Sequence, residues 1–192
     1  MHEYDLIAEW YASERVDQTG VPEVTALASS LPRGARVLDI GCGNGIPITR
    51  ALLSFGHRVV GLDSSTEMLA RFRGNCPEMP AVRSIVQSCP FAKDMFDAAI
   101  AWGVMFHLDP NDEIKAIACV SRILKTGAPF LFTSGDVDGF DGKRGHDEWR
   151  GVSIFFFSID NYRRILGEHG FTLLDVHADS GQNTYYLARK SA

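Results

Sequence analysis

The sequence predicts an α/β fold: a mostly parallel seven-stranded sheet between two layers of helices, with an antiparallel hairpin at its carboxyl-terminal edge. Three observations carry this. Short apolar runs of strand length alternate with amphipathic helical segments along most of the 192 residues. The first run, in VLDIGCGNG (37 to 45), passes straight into three glycines at every second position. The last two runs, FTLLDVH and NTYYLAR, are joined only by ADSGQ, too short for a crossover between parallel strands.

Each element has a local reason. An amino-terminal helix, DLIAEWYASER, precedes the sheet and carries Trp10, Tyr11 and Arg15. ARVLDI (35 to 40) and RVVGLD (58 to 63) read as buried parallel strands, the first of them bounded by Gly34 and Gly41. Between them, IPITRALLSFG has Pro47 near its start and Gly56 just past its end, the asymmetry expected of a helix. The next helix starts at SSTE, where Ser64 and Glu67 have capping-box spacing, and puts Met68, Leu69 and Phe72 on one face. AVRSIV (81 to 86) and FDAAIAW (96 to 102) supply two more strands. A helix over 111 to 125 follows, then the strand APFLFTS (128 to 134) and a helix near 159 to 169. The whole reads as one domain over 1–192, with a helical cap over 1–30 and an insertion over 135–157 placed to cover a substrate.

Composition narrows the function. With 19 Lys plus Arg against 24 Asp plus Glu, the net charge is −5 and no basic run stands out, which argues against a nucleic-acid or anionic-membrane partner. The expected partner is a small-molecule substrate, and the expected assembly a monomer or homodimer. Cys42, Cys76, Cys89 and Cys119 show no paired or metal-like spacing, so reduced thiols in a cytoplasmic protein are expected. The amino terminus lacks the basic start and apolar run of a signal peptide.

The chemistry begins at the glycine run. In a sheet of this kind, ligands bind beyond the carboxyl ends of the strands, and VLDIGCGNG is such an end. Glycines 41, 43 and 45 allow a ligand to approach the backbone. The second strand ends in Asp63, placed to accept hydrogen bonds from ribose hydroxyls, so a nucleoside is the expected ligand. A dinucleotide fingerprint would need glycine at 46, where the chain has Ile46, and this disfavours an NAD-dependent oxidoreductase.

D-x-G-x-G-x-G resembles the first motif of the class I S-adenosylmethionine-dependent methyltransferases. FDAAIAWGVMFHL is similar to that family's fourth-strand motif, ILKTGAPFLFTSG to its helix-turn-fifth-strand motif, and the closing hairpin to its carboxyl-terminal pair. The resemblance implies a Rossmann-like three-layer αβα sandwich and S-adenosyl-L-methionine as cofactor, with S-adenosyl-L-homocysteine as product. It implies that Gly41, Cys42 and Gly43 line the cofactor, that Asp39 helps hold its amino group and that Asp63 binds its ribose, with Ser64 and Met68 as further cofactor-binding candidates. Trp102 and Gly103 would meet the methionine part, and Tyr11 or Arg15 its carboxylate, although Tyr11 and Trp10 also suit plain apolar packing. Many relatives place an acid after the third strand to accept from the adenine amino group. Here the stretch is SIVQS, leaving Ile85, Val86 and Gln87 to recognise adenine, or to serve as strand core and a solvated amide.

Transfer of a sulfonium methyl group chiefly needs donor and nucleophile held in line. His107, just past the fourth strand, is the candidate general base, with a structural role in the loop before Asp109 as its alternative. Trp149 and the aromatics Phe155 to Phe157, Phe156 among them, are candidates to shape the acceptor pocket. Asp136, Asp138 and Asp141 depart from the EF-hand pattern, so no metal is expected. A cofactor-binding module without catalysis is the alternative function.

Overall fold

In the computed structural model, which describes residues 19–135, 147–149, 152–178 and 184–191, strand β1 (Arg36–Ile40) is buried at four of its five positions. A central parallel strand must be buried so, because helices cover both of its faces. Successive side chains of a strand point to opposite faces. Val37 accordingly packs into one layer, and Leu38 and Ile40 into the other.

The elements run α1 (Val21–Ser30), β1, α2 (Ile48–Ser54), β2 (Arg58–Asp63), α3 (Thr66–Asn75), β3 (Ala81–Arg83), β4 (Ala98–Ala101), α4 (Pro110–Ile123), β5 (Pro129–Ser134), β6 (Asp147–Trp149), β7 (Val152–Ile154), α5 (Ile159–Glu168), β8 (Phe171–Ala178) and β9 (Thr184–Lys190). Two 3-10 turns lie at Val86–Ser88 and Met105–His107. The seven-stranded sheet has the order β3-β2-β1-β4-β5-β9-β8. Pairing is parallel from β3 through β5, and β9 joins β5 and β8 antiparallel. This is the expected sheet with its closing hairpin, β9 lying inside and β8 at the edge. From β1 the chain winds outward through β2 and β3, then returns to β4 on the other side of β1, so the loops after β1 and β4 diverge and leave a crevice.

One layer joins Val24 and Leu27 of α1 and Ile48 and Leu52 of α2 to the sheet face formed by Val37, Val59, Ile100 and Leu131. On the opposite face, Ile117 and Val120 of α4 and Ile165 and Leu166 of α5 cover Leu38, Ala99, Phe130 and Phe132. Leu69 and Phe72 of α3 close a smaller cluster with Cys42 and Cys76. Among the described residues no helix is long and apolar enough to cross a membrane.

Three local expectations are corrected. β3 stops at Arg83 rather than reaching 86: after the bond from Ser84 N to Asp63 O the chain turns, burying Val86 and leaving Ile85 47% exposed. An edge strand has only one neighbour to hold it, and here the pull of Val86 into the core ends the pairing. The cap of α3 is Ser65 and not Ser64, with Ser65 Oγ accepting from Met68 N at 3.2 Å. Cys89 and Cys119 are bridged by a disulfide, against the expectation of four reduced thiols; their 30-residue separation gives no pairing signal until the turn at 86–88 packs against α4. Within the predicted insertion, β6 and β7 pair as a two-stranded antiparallel ribbon. Tyr11, Arg15 and the acids Asp136, Asp138 and Asp141 lie outside the described residues.

Candidate active site

A cleft of about 470 Å³ opens at the carboxyl ends of β1, β2 and β4. That volume falls within the range of small-ligand sites, roughly 300 to 1,000 Å³. Its floor is the loop after β1. Gly41, Gly43 and Gly45 have φ of 63°, 53° and 83°, the left-handed region that favours glycine. At Gly41 a second constraint applies, since a Cβ there would stand 2.2 Å from Val104 Cγ2. The loop is glycine-rich because the backbone must turn left-handed and pass close to the β4 loop, and the same turn exposes it to the cleft.

Asp63 ends β2 and organises the floor. Its Oδ2 accepts from Gly43 N at 2.9 Å and its Oδ1 from Ser65 N at 2.8 Å. The carboxylate thus ties the glycine loop to the start of α3. A carboxylate offers about four lone-pair sites, so these bonds are compatible with further donors from a ligand. Ser64 and Met68 lie beside it in the wall of the cleft.

The remaining candidates separate. Gly41, Gly43, Ile85, Val86, Gln87, Trp102, Gly103 and His107 all line the cleft. Asp39 and Cys42 do not. Asp39 is 1% exposed and accepts from Thr49 Oγ1 of α2 at 2.5 Å, which fixes that helix to β1. Burial, with Asp39 and Asp63 nearby, pushes the Cys42 thiol up; it stays protonated and fills space against Gly61. The ring of Trp102 packs against Tyr185 with centroids 4.7 Å apart, while Gly103 N donates to Thr133 Oγ1 at 2.8 Å. Phe156 packs on Gly135, whose Cβ, if present, would lie 2.5 Å from that ring. The side chain of Trp149 is outside what the structure describes.

On the far wall, His107 closes the 3-10 turn after β4, its ring 4.4 Å from that of Phe106. Phe155 N donates to Phe106 O at 2.7 Å, which brings Phe155 into the wall of the cleft. Asp109 caps α4 by accepting from Asn111 N and Asp112 N. Asp112, in the first turn of α4, also faces the cleft and accepts from Gln87 Nε2 at 2.9 Å. Sequence reasoning missed Asp112 as a site residue. The signal was available: Asp109-Pro110 marks a helix start, and the first turn of that helix follows the fourth-strand loop.

The fold defines a class of protein, and the comparisons agree with it. Residues 37–127 match the family described as "Methyltransferase domain". That match covers just under half of the chain, which is similar over it to S-adenosylmethionine-dependent methyltransferases. An uncharacterized methyltransferase of Synechocystis is 34% identical over 97 residues, 50% of this chain and 45% of that protein. A tRNA (carboxymethyluridine(34)-5-O)-methyltransferase of Arabidopsis thaliana is 32% identical over 131 residues, 68% of this chain and 31% of that protein. The chain thus spans less than half the length of these two relatives. Among solved structures, the 1,6-didemethyltoxoflavin-N1-methyltransferase of Burkholderia thailandensis, with 1,6-didemethyltoxoflavin and S-adenosylhomocysteine bound, superposes with a TM-score of 0.77 at 22% identity, covering 98% of this chain and 86% of that one. That likeness is one of fold.

Proposed function

We propose that the protein transfers the methyl group of S-adenosylmethionine to a small-molecule acceptor, leaving S-adenosylhomocysteine. The observation that carries this reading is the cleft floor, where Asp63 and the left-handed glycine loop are locked together at the strand ends. The residues present fit the cofactor: Asp63 for the ribose hydroxyls, residues 85 to 87 for the base, and the Trp102–Gly103 backbone for the methionine part. The cofactor supplies an electrophilic methyl group. The chain's own task is to align an acceptor with it and exclude water, positioning worth up to roughly 7 to 11 kcal/mol. His107 is the proposed general base for an acceptor that must lose a proton, and Phe155 shapes the acceptor side. The insertion 135–157 is the proposed cover, an assignment supported by the bond from Phe155 N to Phe106 O.

The cleft also speaks to the acceptor. Beyond Asp63, which the cofactor reading uses, its described lining residues include Asp109 and Asp112 but no Lys or Arg. Such a wall favours a neutral or cationic small molecule over a polyanion. The names of the tRNA-modifying relatives make tRNA the second reading. Calorimetry is expected to give micromolar binding of S-adenosylhomocysteine and far weaker binding of NAD; equal affinities would remove the cofactor assignment. A labelled-methyl assay against a metabolite extract and against bulk tRNA then separates the acceptors. Label in neither, with cofactor bound, would leave a binding module without catalysis. With the acceptor in hand, His107→Ala is expected to lower turnover by about 100-fold or more with cofactor affinity unchanged.

A further inference from the structure

We propose that the Cys89–Cys119 disulfide is a redox-operated tie on the wall of the cleft, and that its reduction by a dithiol weakens the hold on the cofactor. The inference rests on the cofactor reading above and adds to it a control of the same site.

The bridge joins that wall to a helix. Cys89 directly follows the 3-10 turn Val86–Ser88, whose Val86 and Gln87 line the cleft, and Cys119 lies on α4. β3 is an edge strand of three residues, so the wall beyond it depends on its ties to α4. Those ties include the bridge, the burial of Val86 in one cluster with Ile117 and Val120, and the bond from Gln87 Nε2 to Asp112 Oδ2 at 2.9 Å. The bridge is the covalent one among them. Opening it leaves the wall freer, and a ligand that needs the wall in place must then order it on binding.

Arg122 makes the bridge reducible. Its Nη2 stands 3.8 Å from Cys89 Sγ and 3.6 Å from Cys119 Sγ while donating to Cys89 O at 3.0 Å, and its Nη1 donates to Phe91 O at 2.6 Å. A guanidinium so placed favours thiolates, and thereby the reduced pair over the neutral disulfide. Both cysteines are buried, but Arg122 beside them is an exposed residue, so its displacement opens the sulfurs to a reductant. In the exchange, a thiolate of the dithiol attacks Cys119 Sγ, the S–S bond breaks, and the Cys89 sulfur leaves with the electron pair as a thiolate facing Arg122. The second thiol of the reductant then displaces Cys119 from the mixed disulfide. Two electrons and two protons pass to the protein, and the reductant closes to its own disulfide.

The test uses linkage, which requires the cofactor to oppose reduction by the same factor as reduction weakens the cofactor. Thiol titration of the denatured parent, kept free of reductant, is expected to find Cys42 and Cys76 free and the other pair bridged; titration of all four overturns the inference. Binding of S-adenosylhomocysteine is then measured by calorimetry on the oxidised parent, on the parent reduced with dithiothreitol, and on the double variant Cys89→Ala/Cys119→Ala. Reduction is expected to weaken binding about fivefold or more with the stoichiometry unchanged. The double variant is expected to bind like the reduced parent, with or without dithiothreitol. In redox buffers of dithiothreitol, saturating S-adenosylhomocysteine is expected to raise the dithiol-to-disulfide ratio at half-reduction by the same factor. Equal affinity in both states, a half-reduction point that the ligand does not move, or a stoichiometry that falls because the reduced chain unfolds overturns the inference while the proposed function stands. A parent that binds no S-adenosylhomocysteine in either state overturns both.

Discussion

The buried carboxyl of Glu113 sets a pH dependence that can be worked from the structure. Glu113 is fully buried on α4, where it accepts a hydrogen bond from Tyr162 of α5; Ser134 Oγ, at the end of β5, lies 2.5 Å from the same phenol oxygen. Glu113 Oε2 has no partner among the described residues. Burial raises its pKa from 4.5 to about 8, and the bond from Tyr162 offsets this only in part. A folded-state value above the unfolded one means that the unfolded chain releases the proton first, so stability is lost as pH rises. The loss begins near 4.5, continues through about 8 and levels off above it. At about 1.36 kcal/mol for each pH unit between the two values, the full loss is about 5 kcal/mol. Glu113→Gln removes the titration but leaves a buried amide nitrogen without an evident partner, costing about 1 to 3 kcal/mol. The variant is thus expected to be the less stable protein at pH 5 and the more stable one at pH 9, the curves crossing between about pH 5 and 7. Urea unfolding of both proteins at intervals from pH 5 to 9 measures this. A stability difference that stays constant across the series would refute the reasoning.

Asp63→Ala removes the ribose acceptor together with the bonds that hold the glycine loop, so S-adenosylhomocysteine affinity is expected to fall by at least roughly 10- to 150-fold, the equivalent of about 1.5 to 3 kcal/mol. Parent-like affinity in calorimetry would place the nucleoside elsewhere. For the Cys89–Cys119 bridge, with a sequence separation of 30, chain entropy gives about 3.5 kcal/mol of stabilisation. A reducing agent is expected to lower the urea midpoint by a matching amount, and Cys119→Ala should make the midpoint insensitive to reductant; a midpoint indifferent to reductant in the parent would show that the bridge does not contribute.

What the sequence determined by itself is what depends on near neighbours in the chain. Short apolar runs bounded by turn residues placed the strands and the 3.6-residue apolar period placed the helices, because both are patterns among near neighbours in the chain. The linker ADSGQ dictated the closing hairpin through its length. The glycine run and Asp63 announced the cleft, since left-handed turns and a strand-end acid are both written in consecutive or regularly spaced residues. Other features needed the fold. Asp39 looked like a ligand contact from its place before the glycines, yet the packing of α2 brings Thr49 to it and turns it into a structural link. Val86 could not announce that it would end β3, because that depends on the core beneath it. Gln87 meets Asp112, and Cys89 meets Cys119, across 25 and 30 residues. Both contacts arise because the turn after β3 lies against α4. Such pairings follow from where whole elements pack, and no local spacing in the chain encodes that distance.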